Sequence, residues 1–315
     1  MRIVASVALV AAVWLVSTNP ASSADGPAPP APSAPIWREL TFSARKLLLS
    51  ASTTVAVAMV ARADLLLRPT PAGDEKAPPA GPFARIVTRT ALPFGRGEEA
   101  VTIVDAVSGE WLQTDKLVRG HGDYGKTLRA TATGAYVWRV APRDGREAAA
   151  APERWSRRKE SRLTAPSATP PGLVVSDPYA LLYLISQARL GPAGGGRSWL
   201  LLSAEGLLRV DVAAGGLRRI RASYERSWRG GGQDQVRRDV TAREVVVSAR
   251  AVTGYGGGAG PQLELLGLRG NLRILVDAAS DVPLEIHGRS DGLGEVTVRL
   301  AAVELAEPPR AGGGA

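Results

Sequence analysis

The chain contains no cysteine and only two histidines in 315 residues. The absence of cysteine excludes disulfides, thiol nucleophiles and thiolate zinc sites, so stability has to come from packing of the folded chain. The two histidines, His121 and His287, stand alone and supply no ligand set for a metal. We therefore expect neither a metal nor a cofactor.

Long apolar runs are also scarce, and the one that is present lies at the amino terminus. Ile3 to Val16 forms an apolar core of 14 residues after Met1-Arg2, and Ser22-Ser23-Ala24 places small residues where signal peptidase cleaves. The run is shorter than the ~20 residues of a bilayer-spanning helix. We expect residues 1–24 to be a cleaved signal peptide and the mature chain to be periplasmic or secreted, without a transmembrane span.

Basic residues outnumber acidic residues by 39 to 30, which gives a formal net charge of +9 at pH 7. A cationic surface attracts phospholipid head groups, lipopolysaccharide phosphates or nucleic acid. Ala, Gly, Pro and Arg are all abundant, however, as in proteins of GC-rich genomes, and the arginines are interleaved with acids instead of forming a run. The charge is therefore either functional or compositional, and we do not expect nucleic acid as a partner.

Apolar and polar side chains alternate along most of the chain, as they do in half-buried β-strands. Short breaks with Gly or Pro separate the segments, and such short connections join antiparallel neighbours. The closing part, from Leu272 to Leu305, is the most regular and predicts a three-stranded meander. The predicted fold is mainly β, a large curved antiparallel sheet, half-barrel or barrel, with one packed helix.

The predicted organisation has six segments. They are a signal peptide (1–24), a Pro/Ala-rich tether (25–36), an N-terminal antiparallel β half (37–140), a flexible Pro/Arg-rich loop (141–172), a helix with the C-terminal antiparallel β half of the same domain (173–305) and a disordered tail (306–315). The strands predicted before the loop are Leu40–Leu49, Thr53–Val60, Ala63–Arg68, Ala84–Ala91, Ala100–Asp105, Thr127–Thr131 and Ala135–Val140. Those predicted between the helix and the meander are Trp199–Ser203, Leu207–Val212, Leu217–Trp228 and Val240–Val252.

One segment after the signal has a helical pattern. Ser176-Asp177-Pro178 is a typical helix start, because Asp177 can cap free amides and Pro178 has no N–H to lose at the first helical position. An apolar stripe at i, i+3, i+4 and i+7 follows, and Gly191-Pro192 ends the helix. The helix predicted over Asp177 to Arg189 must pack on the sheet.

Residues 120–127, Gly-His-Gly-Asp-Tyr-Gly-Lys-Thr, match the phosphate-loop pattern G-x-x-x-x-G-K-T. A working phosphate loop follows a parallel strand and opens a helix whose N-terminus faces the anion. The residues from Leu128 onward alternate as in a strand and reach Gly134 within seven residues. We interpret the match as a Gly-rich hairpin loop and keep nucleotide binding as the alternative.

Residues 288–292, Gly-Arg-Ser-Asp-Gly, match the hydrolase pattern G-x-S-x-G. That pattern works at a strand-to-helix elbow, whereas here the next element has the pattern of another strand. Ser290 is therefore expected in a hairpin turn, and no catalytic residue is predicted.

Aromatic residues near the predicted helix and on one strand face are candidates for a ligand cavity. The candidate ligand-binding residues are Tyr179, Leu182, Tyr183, Tyr224 and Trp228. The alternative is that these side chains only fill the core, as aromatic residues on the inner face of a sheet usually do.

The order of several motifs resembles a family of exported bacterial β-rich proteins described only as a domain of unknown function. The resemblance rests on Lys126 to Arg129, the Tyr-Val-Trp-Arg strand that follows, Val175 to Leu184, and the closing Leu272 to Leu300, and it covers roughly Trp37 to Leu305. More distantly, the pattern is similar to the curved-sheet periplasmic carriers and sensors of lipoproteins, whose half-open barrel holds acyl chains. The resemblance implies a β-rich exported fold and assigns no residue a role.

Together these observations predict a non-enzymatic periplasmic protein that binds an apolar or lipid-like envelope ligand under its helix. The alternative is an envelope scaffold or interaction protein that uses an Arg-rich surface. That surface would comprise Arg154 to Arg162 and the strand face with Arg219 and Arg221, and its partner would be an anionic envelope protein.

Overall fold

The structure is a computed structural model that describes residues 36–46, 49–71, 73–120, 122–164, 172–188, 190, 195–203, 206–252, 262–291 and 293–307. The predicted signal peptide, the tether up to residue 35 and the tail from residue 308 lie outside the described residues. The strands are β1 Trp37–Lys46, β2 Leu49–Val60, β3 Phe83–Leu92, β4 Arg96–Asp105, β5 Trp111–Arg119, β6 Tyr124–Thr131, β7 Gly134–Ala141, β8 Arg157–Thr164, β9 Val175–Ser176, β10 Gly196–Ser203, β11 Gly206–Trp228, β12 Gly232–Ala251, β13 Glu264–Leu265, β14 Leu268–Asp277, β15 Pro283–Ser290 and β16 Gly294–Leu305. The helices are α1 Gly145–Ala148 and α2 Leu181–Ala188, with 3-10 turns at Arg62–Asp64, Pro152–Arg154 and Pro178–Ala180.

All of these strands belong to one sheet. Its order is β8-β7-β6-β5-β4-β3-β2-β1-β16-β15-β14-β12-β11-β10-β9, with β13 beside β14. The end of β11, Glu225 to Trp228, also pairs with Ala302 to Leu305 of β16, which closes β11, β12, β14, β15 and β16 into a ring. The predicted fold class, mainly β with a large curved sheet and one packed helix, is confirmed.

The sheet is mixed, which the short connections did not predict. Most neighbours are antiparallel, but β9 pairs in parallel with β10, and β11 pairs in parallel with β16. Parallel neighbours need a crossover connection. Helix α2 lies between β9 and β10 in the chain, and three strands of the ring lie between β11 and β16, so both connections are long enough.

The concave face of β1 to β7 is apolar and packs around α2. Alternate residues of the first two strands are buried there, for example Leu40 and Phe42 on β1 and Val55 and Val57 on β2. This period of two is what a pleated strand with one covered face requires. The core of the protein therefore lies between the inner face of the curved sheet and the helix.

Helix α2 is more deeply buried than its single apolar stripe suggests. Every residue from Leu181 to Ser186 is buried, including the polar Ser186. Ser186 Oγ accepts a hydrogen bond of 3.0 Å from the buried Trp37 Nε1 and donates one of 2.9 Å to Leu182 O. The helix is thus enclosed by protein on all sides of its first turns, and its polar groups are satisfied internally.

The helix approaches the β4–β5 turn closely at Gly109. Gly109 has a φ of +76°, and a Cβ atom at this position would lie 2.5 Å from Leu184 Cδ2. A glycine is therefore required here for its backbone conformation and for the space that it leaves to the helix.

Two predicted details are wrong, and one strand was not predicted. Residues 63–68 form no strand; the segment begins with the 3-10 turn Arg62–Asp64 and continues irregularly. Strand β5 was not predicted, because Gln113 to Lys116 are consecutive polar residues and interrupt any alternation. Strands predicted over Leu207–Val212 and Leu217–Trp228 are one continuous strand, β11, whose pairing with β12 is irregular between Ala214 and Leu217.

The segment predicted as a flexible loop, 141–172, contains ordered structure up to residue 164. Asp144 caps α1 through the amides of Arg146 and Glu147 at 3.1 and 3.0 Å. Trp155 is 1% exposed, lies under the Arg119 guanidinium at 4.7 Å and donates to Glu147 O at 2.8 Å. These contacts position β8, which pairs with β7 along its length. Its side chains are almost all exposed, so apolar periodicity carried no signal for it.

Within the described residues, no helix has the length and apolar character needed to cross a membrane.

Candidate ligand-binding site

The entrance to α2 brings a carboxylate into the protein interior. Asp177 is 3% exposed and caps the 3-10 turn Pro178–Ala180, accepting a hydrogen bond of 2.8 Å from the Tyr179 amide. The predicted roles of Asp177 as cap and Pro178 as first helical residue are both confirmed. Most helix caps are exposed to water, so capping alone does not explain why the carboxylate of Asp177 is buried.

Two threonines of the sheet complete the coordination of Asp177. Thr114 Oγ1 donates to Oδ2 at 2.9 Å, and Thr102 Oγ1 lies 3.5 Å from Oδ1. Burial raises the pKa of Asp177 to about 6, although these hydrogen bonds and the charge of Lys116 oppose the rise. Asp177 is therefore a buried group that changes charge in a mildly acidic range.

A second polar cluster lies beside it and consists of Glu98, Lys116 and Tyr179. Lys116 Nζ lies 2.7 Å from Glu98 Oε2 and donates to Tyr179 OH at 2.7 Å, and Tyr179 OH donates to Glu98 Oε1. Burial alone would lower the pKa of Lys116, but the charge and hydrogen bond of Glu98 raise it overall. Burial, and then the charge of Glu98, raise the pKa of Tyr179. Lys116 is therefore held as a cation and Tyr179 as a neutral phenol.

Both clusters face a cavity of about 310 Å³ between the concave face of the sheet and the β13–β14 turn. Its apolar lining includes Phe42, Leu92, Leu128, Leu202, Leu266 and Val298. Small-molecule sites are typically concave, of ~300–1,000 Å³, and mostly apolar with a few polar groups. The cavity is at the lower end of this range and has this composition.

The space arises partly from small side chains on the first two strands. Ala44 and Ala51 lie opposite each other across β1 and β2, and both line the cavity. Larger residues at a directly opposed pair would project into the same volume, because side chains of such a pair share one face. The local sequence therefore leaves room beside the entrance to the helix.

The five predicted ligand-binding residues are not all brought together. Tyr179 lines the cavity. Leu182 and Tyr183 are each 1% exposed and pack in the core, where burial raises the pKa of Tyr183 to about 12. Tyr224 and Trp228 lie on β11, one of the five strands that form the ring. Ligand binding by these residues stays a prediction.

Tyr224 has a concave surface of its own. An opening of about 580 Å³ lies between β11 and the β15–β16 hairpin, bordered by Ile220, Tyr224, Leu284 and Leu300. Trp228 is half-buried next to the β11–β12 turn, where a Cβ on Gly232 would meet its indole ring. The residues predicted on β11 therefore belong to a different part of the molecule from Tyr179.

The phosphate-loop match is a hairpin connection, as its context predicts. Gly120 follows directly after β5 and its amide donates to Asp123 Oδ1 at 2.8 Å, and Lys126 and Thr127 lie inside β6. No helix follows the motif in the described part of the chain before α1. His121 lies outside the described residues. Lys126 is half-buried and lines the 310 Å³ cavity, so it is not at an exposed strand entry.

The hydrolase match has the predicted hairpin context as well. Gly288 and Ser290 lie at the end of β15, and β16 begins at Gly294. His287 Nδ1 pairs with Thr297 Oγ1 at 3.0 Å, and its Nε2 lies 3.0 Å from Glu285 Oε2. Burial lowers the pKa of His287, which packs as a structural side chain between neighbouring strands.

Sequence reasoning missed Glu98, Thr114 and Lys116, which carry most of the polar chemistry of the cavity. Two of them lie on the unpredicted β5. No period of two marked this strand, since Gln113 to Lys116 are four consecutive polar residues. The convergence of these residues with Asp177 depends on tertiary packing across more than 60 positions of sequence and could not be predicted from spacing.

No protein-family model, curated protein or solved structure matches this chain, so its function is argued from the site alone.

Proposed function

We propose that this protein is a non-enzymatic, exported ligand-binding protein of the cell envelope, and that it holds a lipid-like molecule in the cavity beside Tyr179. The observation that carries the proposal is a cavity of about 310 Å³ with apolar walls and two polar clusters beside it. An apolar chain would contact Phe42 and Leu128, and a polar end would lie near Lys116.

The polar groups around the cavity support binding better than catalysis. Glu98, Lys116 and Tyr179 satisfy one another, and Asp177 is held by two threonines and an amide. Groups paired in this way orient a ligand, whereas a nucleophile or general base needs a free position next to the reacting atom. The wall of the cavity therefore fits recognition of a ligand.

The expected strength of binding follows from the apolar area. Each buried methylene contributes about 0.8 kcal/mol of transfer free energy, so six buried methylenes contribute roughly 5 kcal/mol before the entropy of association is subtracted. One additional polar contact does not raise the remainder to the about 8 kcal/mol of a micromolar Kd, so we expect binding weaker than micromolar for such a ligand.

The test is titration with a neutral, polarity-sensitive fluorescent probe, followed by displacement with a fatty alcohol. Ala51→Phe should fill the cavity and weaken binding by about tenfold or more, because the new ring occupies the space of the ligand. Ser52→Phe is the matched control, since Ser52 is the next residue on β2 and is exposed on the opposite face. Equal binding by both variants, or no binding by the wild type, would refute the proposal.

A second function, engagement of an anionic partner through an Arg-rich surface, is favoured by one observation. Arg219 and Arg221 are exposed on the outer face of β11, and among the described residues neither forms an ion pair. Binding through such charges should weaken steeply between low and physiological salt, where the Debye length falls to about 8 Å. Envelope pull-downs with Arg219→Glu/Arg221→Glu test it; recovery of the same partner by this variant at high salt would exclude the charged surface.

A further inference from the structure

Four cations occupy one row across four neighbouring strands. The strand register places Lys116 of β5 opposite Lys126 of β6, Lys126 opposite Arg139 of β7, and Arg139 opposite Lys159 of β8. Directly opposed residues of antiparallel strands project from the same face. We call these four residues the basic ladder.

The basic ladder is continuous with the cavity. Lys116 and Lys126 line the cavity wall. The Arg139 guanidinium lies 4.6 Å from the ring centroid of Tyr124, which also lines the cavity. Lys159 is exposed on β8, the last strand on this side of the sheet. The ladder therefore runs from the cavity wall to the edge of the sheet, where water and ligands have access.

Like charges directly opposite one another destabilise a sheet. The carboxylates near the cavity compensate for this repulsion only in part. Both act at the Lys116 end of the row: Glu98 lies 2.7 Å from Lys116, and Glu264, which also lies 3.0 Å from Arg269, lines the same cavity and its charge raises the pKa of Lys116. Positive charge therefore accumulates toward Arg139 and Lys159, and an anion lying along the row would relieve the repulsion.

We propose that the basic ladder binds an anionic head group, a carboxylate or a phosphate, of the ligand whose apolar part occupies the cavity. The inference rests on the proposed function and specifies its ligand as an anionic amphiphile. Ammonium and guanidinium groups donate charge-assisted hydrogen bonds to such oxygens, and a planar guanidinium can donate two to one head group. Lys126 joins the two parts of the site, because it belongs to both the ladder and the cavity wall.

The test compares ligands that differ only in the head group. A twelve-carbon carboxylic acid, alkyl phosphate, alcohol and amine displace the same neutral probe at low salt. The acid and the phosphate should bind about tenfold more tightly than the alcohol, since a hydrogen bond to an ion contributes more than a neutral one. The amine should bind most weakly. This preference should shrink at high salt, because exposed charges are screened.

A double variant locates the preference. Arg139→Gln/Lys159→Gln should reduce binding of the acid to the level of the alcohol and leave the alcohol unaffected, because both residues are exposed beyond the apolar walls. Arg85→Gln/Arg197→Gln removes the same charge from exposed positions on β3 and β10 and should change neither affinity.

The outcomes separate the two proposals. If the alcohol binds but the acid gains nothing over it, or if the ladder variant retains the preference, the head-group inference is wrong and the apolar cavity stands. If no member of the series binds, the proposed function itself fails. Inorganic phosphate distinguishes the source of the anion, since displacement of the acid by low-micromolar phosphate would identify a free-anion site and overturn the lipid head group.

Discussion

Replacing Asp177 by Asn should remove one pH-dependent part of the stability of this protein. Burial raises the pKa of Asp177 to about 6, against about 3.9 in an unfolded chain. The folded state therefore prefers the protonated carboxyl. Its contribution to stability is fully present below about pH 4 and is lost as the pH rises through 6.

The magnitude follows from the size of the shift. Two pKa units correspond to about 3 kcal/mol, because each unit is worth 1.36 kcal/mol of differential interaction. Other carboxyls act in the opposite direction: hydrogen bonds lower the pKa of Glu147 to about 2, and Arg226 lowers that of Asp234. Glu147 and Asp234 are present in both the wild type and Asp177→Asn. The difference in the free energy of unfolding between these two proteins therefore reports on Asp177 alone.

The assay is urea unfolding of both proteins at one-unit steps from pH 4 to pH 8. The stability of Asp177→Asn relative to the wild type should increase by about 3 kcal/mol between pH 4 and pH 7. Carbon-detected NMR of the Asp177 carboxyl should show a midpoint near 6, and Thr114→Val should move it higher because a hydrogen bond to the ionised form is lost. Parallel stability curves, or a midpoint near 4, would refute the reasoning.

Three further predictions concern the fold and the motifs. Gly109→Ala should cost about 2 kcal/mol more in the free energy of urea unfolding than Gly95→Ala, since both glycines have positive φ but only Gly109 faces Leu184; equal costs would contradict the close approach. Trp155→Ala should increase amide hydrogen exchange in 143–156 with little change in the core, because that indole holds its segment against Arg119 and is not part of the main core cluster; unchanged exchange would show another anchor. Calorimetry should find no micromolar, magnesium-dependent ATP binding to the wild type; such binding, if lost in Lys126→Ala, would restore the phosphate loop.

The strands of the curved sheet were predictable where one face is buried. Leu272 to Leu305 has the most regular pattern in the chain and forms most of β14 together with β15 and β16, and Ala84 to Ala91 lies inside β3. In these segments burial on one face imposes a period of two on the sequence. The same signal was absent from β8, whose side chains face water on both sides, and the pairing with β7 holds this strand in place instead.

The candidate site was less predictable than the sheet. The cap at Asp177 was predicted from its local sequence, because a cap involves only the next few amides. The cavity and the basic ladder depend on which residues lie opposite one another, and that register is set by turns and bulges along β4 to β8. Lys116 and Arg139 are 23 positions apart, and no spacing rule relates them.

The most direct test of the central claim is the affinity of a series of fatty acids of increasing chain length, measured by displacement of the neutral probe. Affinity should rise about fourfold per methylene, since 0.8 kcal/mol corresponds to that factor, and should level off once the 310 Å³ cavity is filled. The plateau should come at a shorter chain in Ala51→Phe. Affinity that is independent of chain length, or absent throughout the series, would contradict a lipid-binding function for this protein.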